Sequence, residues 1–445
     1  MTGAKDRLGS NFWRLLMASV VSNLGDGIVR TAIPLLAITL TRDPVLVGAL
    51  TSLAFLPWLL FAIPAGALVD RMDRRRAMSI ANFIRAGVVA GLAVAIAVDQ
   101  VSLVVLYVVT FVLGIAETVY DGAARAILPQ VVRRDQLDRA NGPLASAEIV
   151  TQAFLAAPVG SLLFAWLVIA PFVTSAVGYL LAALLVLSLV GNLRPVRDGQ
   201  EQDGSTTIRA DIGEGLRWLR GHDLLRGLAV ISGLTAAAHT MADGLLVLYV
   251  VDTLDIPESA FGLFLVSAGV GGLLGGLSAA WVAKRIGRIA TLVLSALITA
   301  AANIGMGLSS AAWAGAVLFG TVALAISLWN VLVMSLRQAL IPEQLFGRVQ
   351  GAYRTLVWGL IPVGALVGGV VAGLTSVPAT FVISGILQIL LATMCLRLFL
   401  RHRAQIETAH LPDPDPAPEP DPEPADVAGM QATHPARPLQ SYDIP

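Results

Sequence analysis

Apolar runs of twenty or more residues alternate along the chain with short breaks that carry charges, glycine or proline. The runs fall at about 13–39, 45–69, 77–98, 101–127, 139–168, 171–193, 224–251, 260–283, 289–309, 311–338, 349–374 and 377–399. Each meets the roughly 20 apolar residues that a helix needs to cross the hydrocarbon core of a bilayer. Barrel strands are about half that length, and other lipid-exposed backbone would leave its N–H and C=O groups unpaired. The pattern predicts an all-α polytopic membrane protein with twelve transmembrane helices.

The longest internal break runs from Arg194 to His222 and divides the spans six and six. Its second part, "IRADIGEGLRWLR", places Ile208, Ile212, Leu216 and Leu219 at a helical period, which predicts an amphipathic helix on the cytoplasmic surface. The expected organisation is a first six-helix bundle over 1–193, a cytoplasmic linker over 194–223, a second bundle over 224–400 and a tail over 401–445. In that tail, prolines occupy every second position from Pro412 to Pro424, interleaved with acids. Such a segment builds no core and favours extended or disordered chain. The two halves also echo each other. Gly48 and Gly66 recur as Gly262 and Ala280, "RAILP" at Arg125 to Pro129 as "RQALIP" at Arg337 to Pro342, and "PVG" at Pro158 again at Pro362. Two six-helix bundles related by a pseudo-repeat follow.

Composition agrees: 56% of residues are hydrophobic and 13% charged, against roughly 45–50% and 25% in soluble domains. Lys plus Arg equals Asp plus Glu at 30 each, so net charge suggests no nucleic-acid partner. If both termini are cytoplasmic, the inner segments hold nearly all the bases flanking the spans and the outer loops hold Arg42 alone, a strong positive-inside bias. The first run contains Asp26 and Arg30 and reads as a span, not a cleaved leader. Cys395 is the only cysteine, which excludes an internal disulfide. The histidines show no metal-ligand spacing. No Gly-x-x-x-x-Gly-Lys-Ser/Thr or Gly-x-Ser-x-Gly sequence is present, so neither ATP use nor a hydrolase is indicated. No cofactor is expected.

"GALVDRMDRRR", from Gly66 to Arg76, joins spans two and three. It resembles the cytoplasmic Gly-x-x-x-Asp-Arg-x-Gly-Arg-Arg signature of the major facilitator superfamily, matching at Gly66, Asp70, Arg71, Arg74 and Arg75, with Asp73 in place of the second glycine. The second-half copy, "KRIGR", puts Lys284 where Asp70 sits. "SNLGDGIVRTAIPLL", "LPWLLFAIPAGALVDRMDRRR", "GIAETVYDGAARAILPQVV" and "QLDRANGPLASAE" are similar to the efflux branch that includes macrolide exporters and the enterobactin exporter. "AAPVGSLL" is a weakened form of the span-five antiporter motif, with Ala157 and Ser161 replacing glycines. The resemblance implies alternating access about a central cavity and makes Asp70 and Arg71 part of a latch between halves that favours the outward-facing state.

Ionisable groups inside spans cost about 2.5–3.5 kcal/mol on insertion scales and normally face the bundle interior. Asp26 and Arg30 share a face of span one; Glu117, Asp121 and Arg125 succeed one another at four-residue steps in span four; His239 and Asp243 do so in span seven. Glu148 lies about 13 Å into span five, from a rise of about 1.5 Å per residue. Arg85 is expected near the cytoplasmic end, where it can snorkel. Two roles stand open. Asp26, Glu117, Glu148 and Asp121 either load and release protons in a substrate cavity, or Asp26 with Arg30 and Asp121 with Arg125 are ion pairs that fix packing. Glycines of spans eight and eleven allow close helix approach. Trp58, Trp281, Trp329 and Trp358 either line the cavity or face lipid.

The expected function is secondary active export of a hydrophobic or amphipathic small molecule, drug-, macrolide- or siderophore-like, by proton antiport. The partners are that substrate, protons and the lipid bilayer, and the protein is expected to be a monomer of the inner (plasma) membrane with both termini cytoplasmic. An uptake permease or lysophospholipid transporter of the same fold is the nearest alternative, and a non-transporting sensor or scaffold a further one.

Overall fold

The computed structural model describes residues 8–69, 71–191, 193 and 208–408; Asp70 and the Pro/Asp-rich tail lie outside them. The first half comprises α1 (Ser10–Leu40), α2 (Pro44–Val69), α3 (Arg74–Ala97), α4 (Leu103–Val131), α5 and α6 (Ala170–Leu187). Within α5, α-helix over Leu137–Ile149 passes through a π-helical segment, Val150–Ala156, into α-helix over Ala157–Trp166. The linker contributes α7 (Ile208–Gly221). The second half begins with α8, which runs over Asp223–Asp243, breaks at Gly244, and resumes over Leu246–Leu248 and a π-helical Tyr249–Thr253. It continues with α9 (Glu258–Ile286), α10 (Arg288–Leu308), α11 (Ala312–Leu340), α12 (Glu343–Gly359, then Ile361–Leu374), α13 (Val377–Arg401) and the short α14 (Arg403–Thr408).

Each expected span is met by a helix. The largest departures are the start of α12 at Glu343 rather than 349 and the end of α6 at Leu187 rather than 193. Among the described residues, eleven helices are long and apolar enough to cross a membrane; α1, with Asp26 and Arg30 along its 31 residues, is the more polar twelfth. Pro362 sits in the first turn of the second segment of α12, where its missing N–H leaves no hydrogen bond unmade. Asp73, the departure from the loop signature, is the N-cap of α3 and accepts from the Arg76 N–H at 3.2 Å, a role that glycine's missing side chain cannot fill.

In the first half α3 packs on α4 and α6, α1 on α5 and α6, and α2 on α4. In the second, α9 packs on α11, α10 on α11 and α13, and α8 on α12 and α13. The halves meet through α2 against α12 and α5 against α9. Advancing each span by six converts the first pair into the second, so the contact obeys the two-fold that the sequence echoes imply. Hydrophobic transfer does not drive helices together inside lipid, so close van der Waals approach must. At Gly262 of α9 an added Cβ would collide with the Ala157 carbonyl of α5, and at Gly48 of α2 it would lie 2.7 Å from the Ala365 carbonyl of α12.

These contacts crowd the end of the bundle away from Ser10 and Arg401. There Thr51 Oγ1 donates to the Gly244 carbonyl at 3.1 Å, Ser161 Oγ to the Ser259 carbonyl at 3.1 Å, and Arg42 pairs with Asp252. At the opposite end Gly66, Gly142, Gly347 and Gly351 have open space beside them, and most of residues 141–150 on α5 are exposed. The molecule is closed at one end and open at the end that carries Ser10 and Arg401. The predicted linker helix is present: Glu214 of α7 pairs with Arg348 of α12, and Gly215 sits against the Arg348 carbonyl. Leu219 is buried in the same cluster as Val349 and Tyr353, so the apolar side of α7 rests on α12.

Candidate functional site: buried charges and cavities between the halves

The interior of the first half is organised around Asp26 on α1. Gly25 beside it leaves room for the Tyr179 ring of α6, whose Cε1 would lie 3.2 Å from a Cβ there. That approach brings the Tyr179 hydroxyl to 2.7 Å from Asp26 Oδ1, to which it donates. The other carboxylate oxygen faces Arg85 of α3, with Nη1 at 3.3 Å. Arg85 also donates to Ser22 Oγ at 3.3 Å and Asn82 Oδ1 at 3.4 Å, and its guanidinium lies 4.8 Å from the Tyr120 ring centre and 5.6 Å from that of Tyr179. The Arg85 side chain is 1% exposed and that of Asp26 13%. Such a pair persists in a low dielectric only when both partners stay charged and hydrogen-bonded.

This corrects two expectations. Asp26 does not pair with Arg30, and Arg85 does not snorkel. Arg85 is the twelfth residue of α3, roughly 16 Å along it at about 1.5 Å per residue, too deep to reach a headgroup. Arg30 instead crosses to Glu117 of α4, with side-chain exposures of 57% and 20%. Residues four apart on one helix share a face, but here that face meets another helix, and the partner across the interface wins.

Asp121, one turn beyond Glu117, does not pair with Arg125, and neither has an ion-pair partner among the described residues. Both line a cavity of about 250 Å³ together with Trp58, Arg354 and Trp358. Trp58 of α2 and Trp358 of α12 meet there across the halves, ring centres 5.3 Å apart. Glu148 is exposed on α5, immediately before the π-helical segment, and not held in the interior charge network. The next turn sends Gln152 Nε2 to Asn23 Oδ1 of α1 at 3.1 Å. His239 and Asp243 both line a second cavity of about 330 Å³, where His239 Nδ1 is buried without a hydrogen-bond partner among the described residues.

A third cavity, about 550 Å³, lies within the second half between α8, α10, α11, α12 and α13. Its polar lining includes Ser232, Thr235, His239, Asn330, Arg337, Gln350, Tyr353 and Arg354, and Arg125 reaches it from α4. Trp329 and Trp358 line it, whereas Trp281 is exposed beside Arg285. Arg354 and Tyr353 are functional candidates that the sequence reading passed over, although an arginine inside an apolar run was signal enough. In the sequence Arg337 stands out as part of a repeat echo and as one of the bases at the cytoplasmic ends of the spans.

The described bases of the signature loop that make hydrogen bonds do so within the first half. Arg74 Nη1 donates to the Ala126 carbonyl of α4 at 2.9 Å, Arg75 Nη1 to the Leu189 carbonyl beyond α6 at 2.8 Å, and Arg71 is exposed. These bonds staple the ends of α3, α4 and α6.

Comparison with known proteins agrees with this architecture. A family model described as Major Facilitator Superfamily matches residues 15–363. Uncharacterised MFS-type transporters of Mycobacterium bovis and Mycobacterium tuberculosis are 35% identical over 150 residues, so the alignment spans about a third of the length of those relatives. Multidrug efflux pump Tap of Mycolicibacterium fortuitum is 26% identical over 89% of this chain and 97% of its own. Macrolide efflux protein A of Streptococcus pyogenes is 22% identical over 86% and 95%. Among solved structures, the nucleoside transporter NupG shares the fold with a TM-score of 0.72 at 16% identity, covering 88% of this chain and 99% of that one. With membrane helices arranged six and six in two halves, as that match requires, the chain belongs to the Major Facilitator Superfamily.

Proposed function

We propose that the protein exports a hydrophobic or amphipathic small molecule in exchange for protons, working as a monomer in the bacterial plasma membrane with both termini in the cytoplasm. The observation that carries this reading is the presence of two interior carboxylates, Asp26 on α1 and Glu117 on α4, each tied to a base on a different helix. Protonating Asp26 removes the charge that holds Arg85 and accepts from Tyr179, and so loosens α1 from α3 and α6. Protonating Glu117 releases Arg30 and loosens α1 from α4. The far part of α1 touches the second half at Leu246–Leu248, next to the break in α8. A proton gained or lost in the first half therefore changes how α1 presents itself to the second. The full-length likeness to proteins named as efflux pumps supports export, and the bias of Lys and Arg supports the orientation.

The test is accumulation of a panel of dyes, macrolides and siderophores in a pump-deficient bacterium, comparing wild type with Asp26→Asn and Glu117→Gln, with and without a protonophore. Export driven by protons gives low accumulation that the protonophore and at least one substitution raise to the level of cells without the protein. Accumulation that stays low under the protonophore would remove proton coupling from the proposal.

A further inference from the structure

The second-half cavity is lined by bases without an acid among its described lining residues. Among its described lining residues are three guanidinium groups, those of Arg125, Arg337 and Arg354, and no carboxylate. Arg337 is 9% exposed. Its Nε donates to the Val333 carbonyl at 3.3 Å and its Nη1 to Gln350 Oε1 at 2.9 Å, and its guanidinium lies 4.2 Å from the Tyr353 ring centre. Arg354 lies 5.0 Å from the ring centre of Trp358. Asp121 lines the neighbouring cavity with Arg125 and Arg354, within electrostatic reach of both but hydrogen-bonded to neither, and Arg337 has no acid partner among the described residues. A buried cation is normally matched by an anion, because desolvating an unpaired charge is costly. The first half follows that rule at Arg85, and the second half does not follow it at Arg337.

We infer that this cavity is the binding site for the anionic end of an amphipathic cargo, a carboxylate or a related oxyanion, with the apolar body of the cargo against Trp329, Trp358 and Val357. The inference rests on the reading of the protein as a transporter of amphipathic molecules and names their charge class. Guanidinium groups suit this task because their planar fork matches an oxyanion with two parallel hydrogen bonds. Gln350 and Tyr353 hold the Arg337 fork in place, so little side-chain freedom is lost on binding. The volume of about 550 Å³ is in the range of small-molecule pockets. A cationic cargo of the same size meets three like charges there and no carboxylate among the described lining residues.

The test uses the purified full chain in phosphatidylcholine nanodiscs without any proton gradient. Binding of 1-pyrenebutyrate and of 1-pyrenemethylammonium is read by energy transfer from tryptophan to pyrene, with empty nanodiscs as the partition control. The butyrate should bind at least about tenfold more tightly than the ammonium. Arg354→Gln and Arg337→Gln should each reduce that ratio severalfold, and Arg354→Lys should retain more of it than Arg354→Gln. Arg354 is only half-buried, so its variants keep the test valid if Arg337→Gln fails to fold. Equal binding of the two probes, or a ratio that survives in the folded variants, overturns the inference. So does competition by inorganic phosphate as strong as that by pyrenebutyrate, which would reduce the site to one for a small ion. The ratio is an equilibrium quantity, so it can hold where proton coupling fails, and it can fail where export of other cargo holds.

Discussion

At the scale of single residues, the distinction that matters is between a carboxylate that titrates and one that only fixes packing. Asp26→Asn leaves Arg85 buried and uncompensated, which should cost about 3–5 kcal/mol of stability. The double variant Asp26→Asn with Arg85→Gln should recover most of that loss, because both charges disappear together. Thermal unfolding of the purified variants, followed through exposure of the buried Cys395 thiol, measures both. If Asp26 carries a proton, the double variant regains its melting temperature but not its export; if Asp26 is only structural, both return. Tyr179→Phe, which removes one hydrogen bond to a charged acceptor, should cost less, about 1.5–3 kcal/mol. The residues of this site were legible in the sequence because an ionisable group within an apolar run stands out. Their pairing was not. Asp26 and Arg85 are 59 positions apart and Arg30 and Glu117 are 87 apart, and only the packing of α1 against α3 and α4 decides which acid meets which base.

Helices were the most legible level, since a run of some twenty apolar residues has few structures open to it in lipid. What escaped was their local irregularity. The π-helical segment of α5 lies where Gly27 of α1 admits Ala156, and the break in α8 is where Thr51 of α2 bonds the Gly244 carbonyl; both depend on a neighbouring helix. The junction of α7 and α8 carries a pH-dependent element of its own. His222 is the N-cap of α8, with Nδ1 accepting from the Leu225 N–H at 3.4 Å and its ring stacked on Trp218. Burial lowers the pKa of His222 from its ordinary value near 6.5, so the folded state binds a proton less readily than the unfolded chain. Above that ordinary value both are neutral and no dependence arises; as pH falls below it, stability declines and the cap acceptor is lost. Between about pH 7.5 and 5.5 the melting temperature of the wild type should therefore fall more than that of His222→Asn, whose side-chain oxygen caps without titrating.

The whole molecule is a pair of bundles whose contacts obey a two-fold axis and lie at one end. Ser161 of α5 meets the backbone of Ser259, in the first turn of α9, across that end. Ser161→Cys with Ser259→Cys places two thiols where a disulfide needs Cα atoms within about 7 Å. Oxidation should form the bond in this state and stop transport, and a reductant should restore it. An imposed proton gradient together with cargo should slow bond formation, which follows from rocking of the halves. A rate of formation indifferent to both would mean that this end does not open during transport. The sequence echoes pointed to the two-fold arrangement, but not to which end is shut, because the residues that shut it, Gly48, Gly262, Ala157 and Ala365, are ordinary packing residues in any helix.

That shut end is made of main chain pressed on main chain, with small residues permitting the approach. A gate formed by one side chain swings open in picoseconds to nanoseconds, whereas helices separate in microseconds to milliseconds. Here no single rotamer change can make a gap, so the least motion that admits a water file is the parting of whole helices. The consequence is electrical. A membrane holding many copies of this protein keeps its voltage while they stand idle, and charge leaks through them no faster than the helices rock.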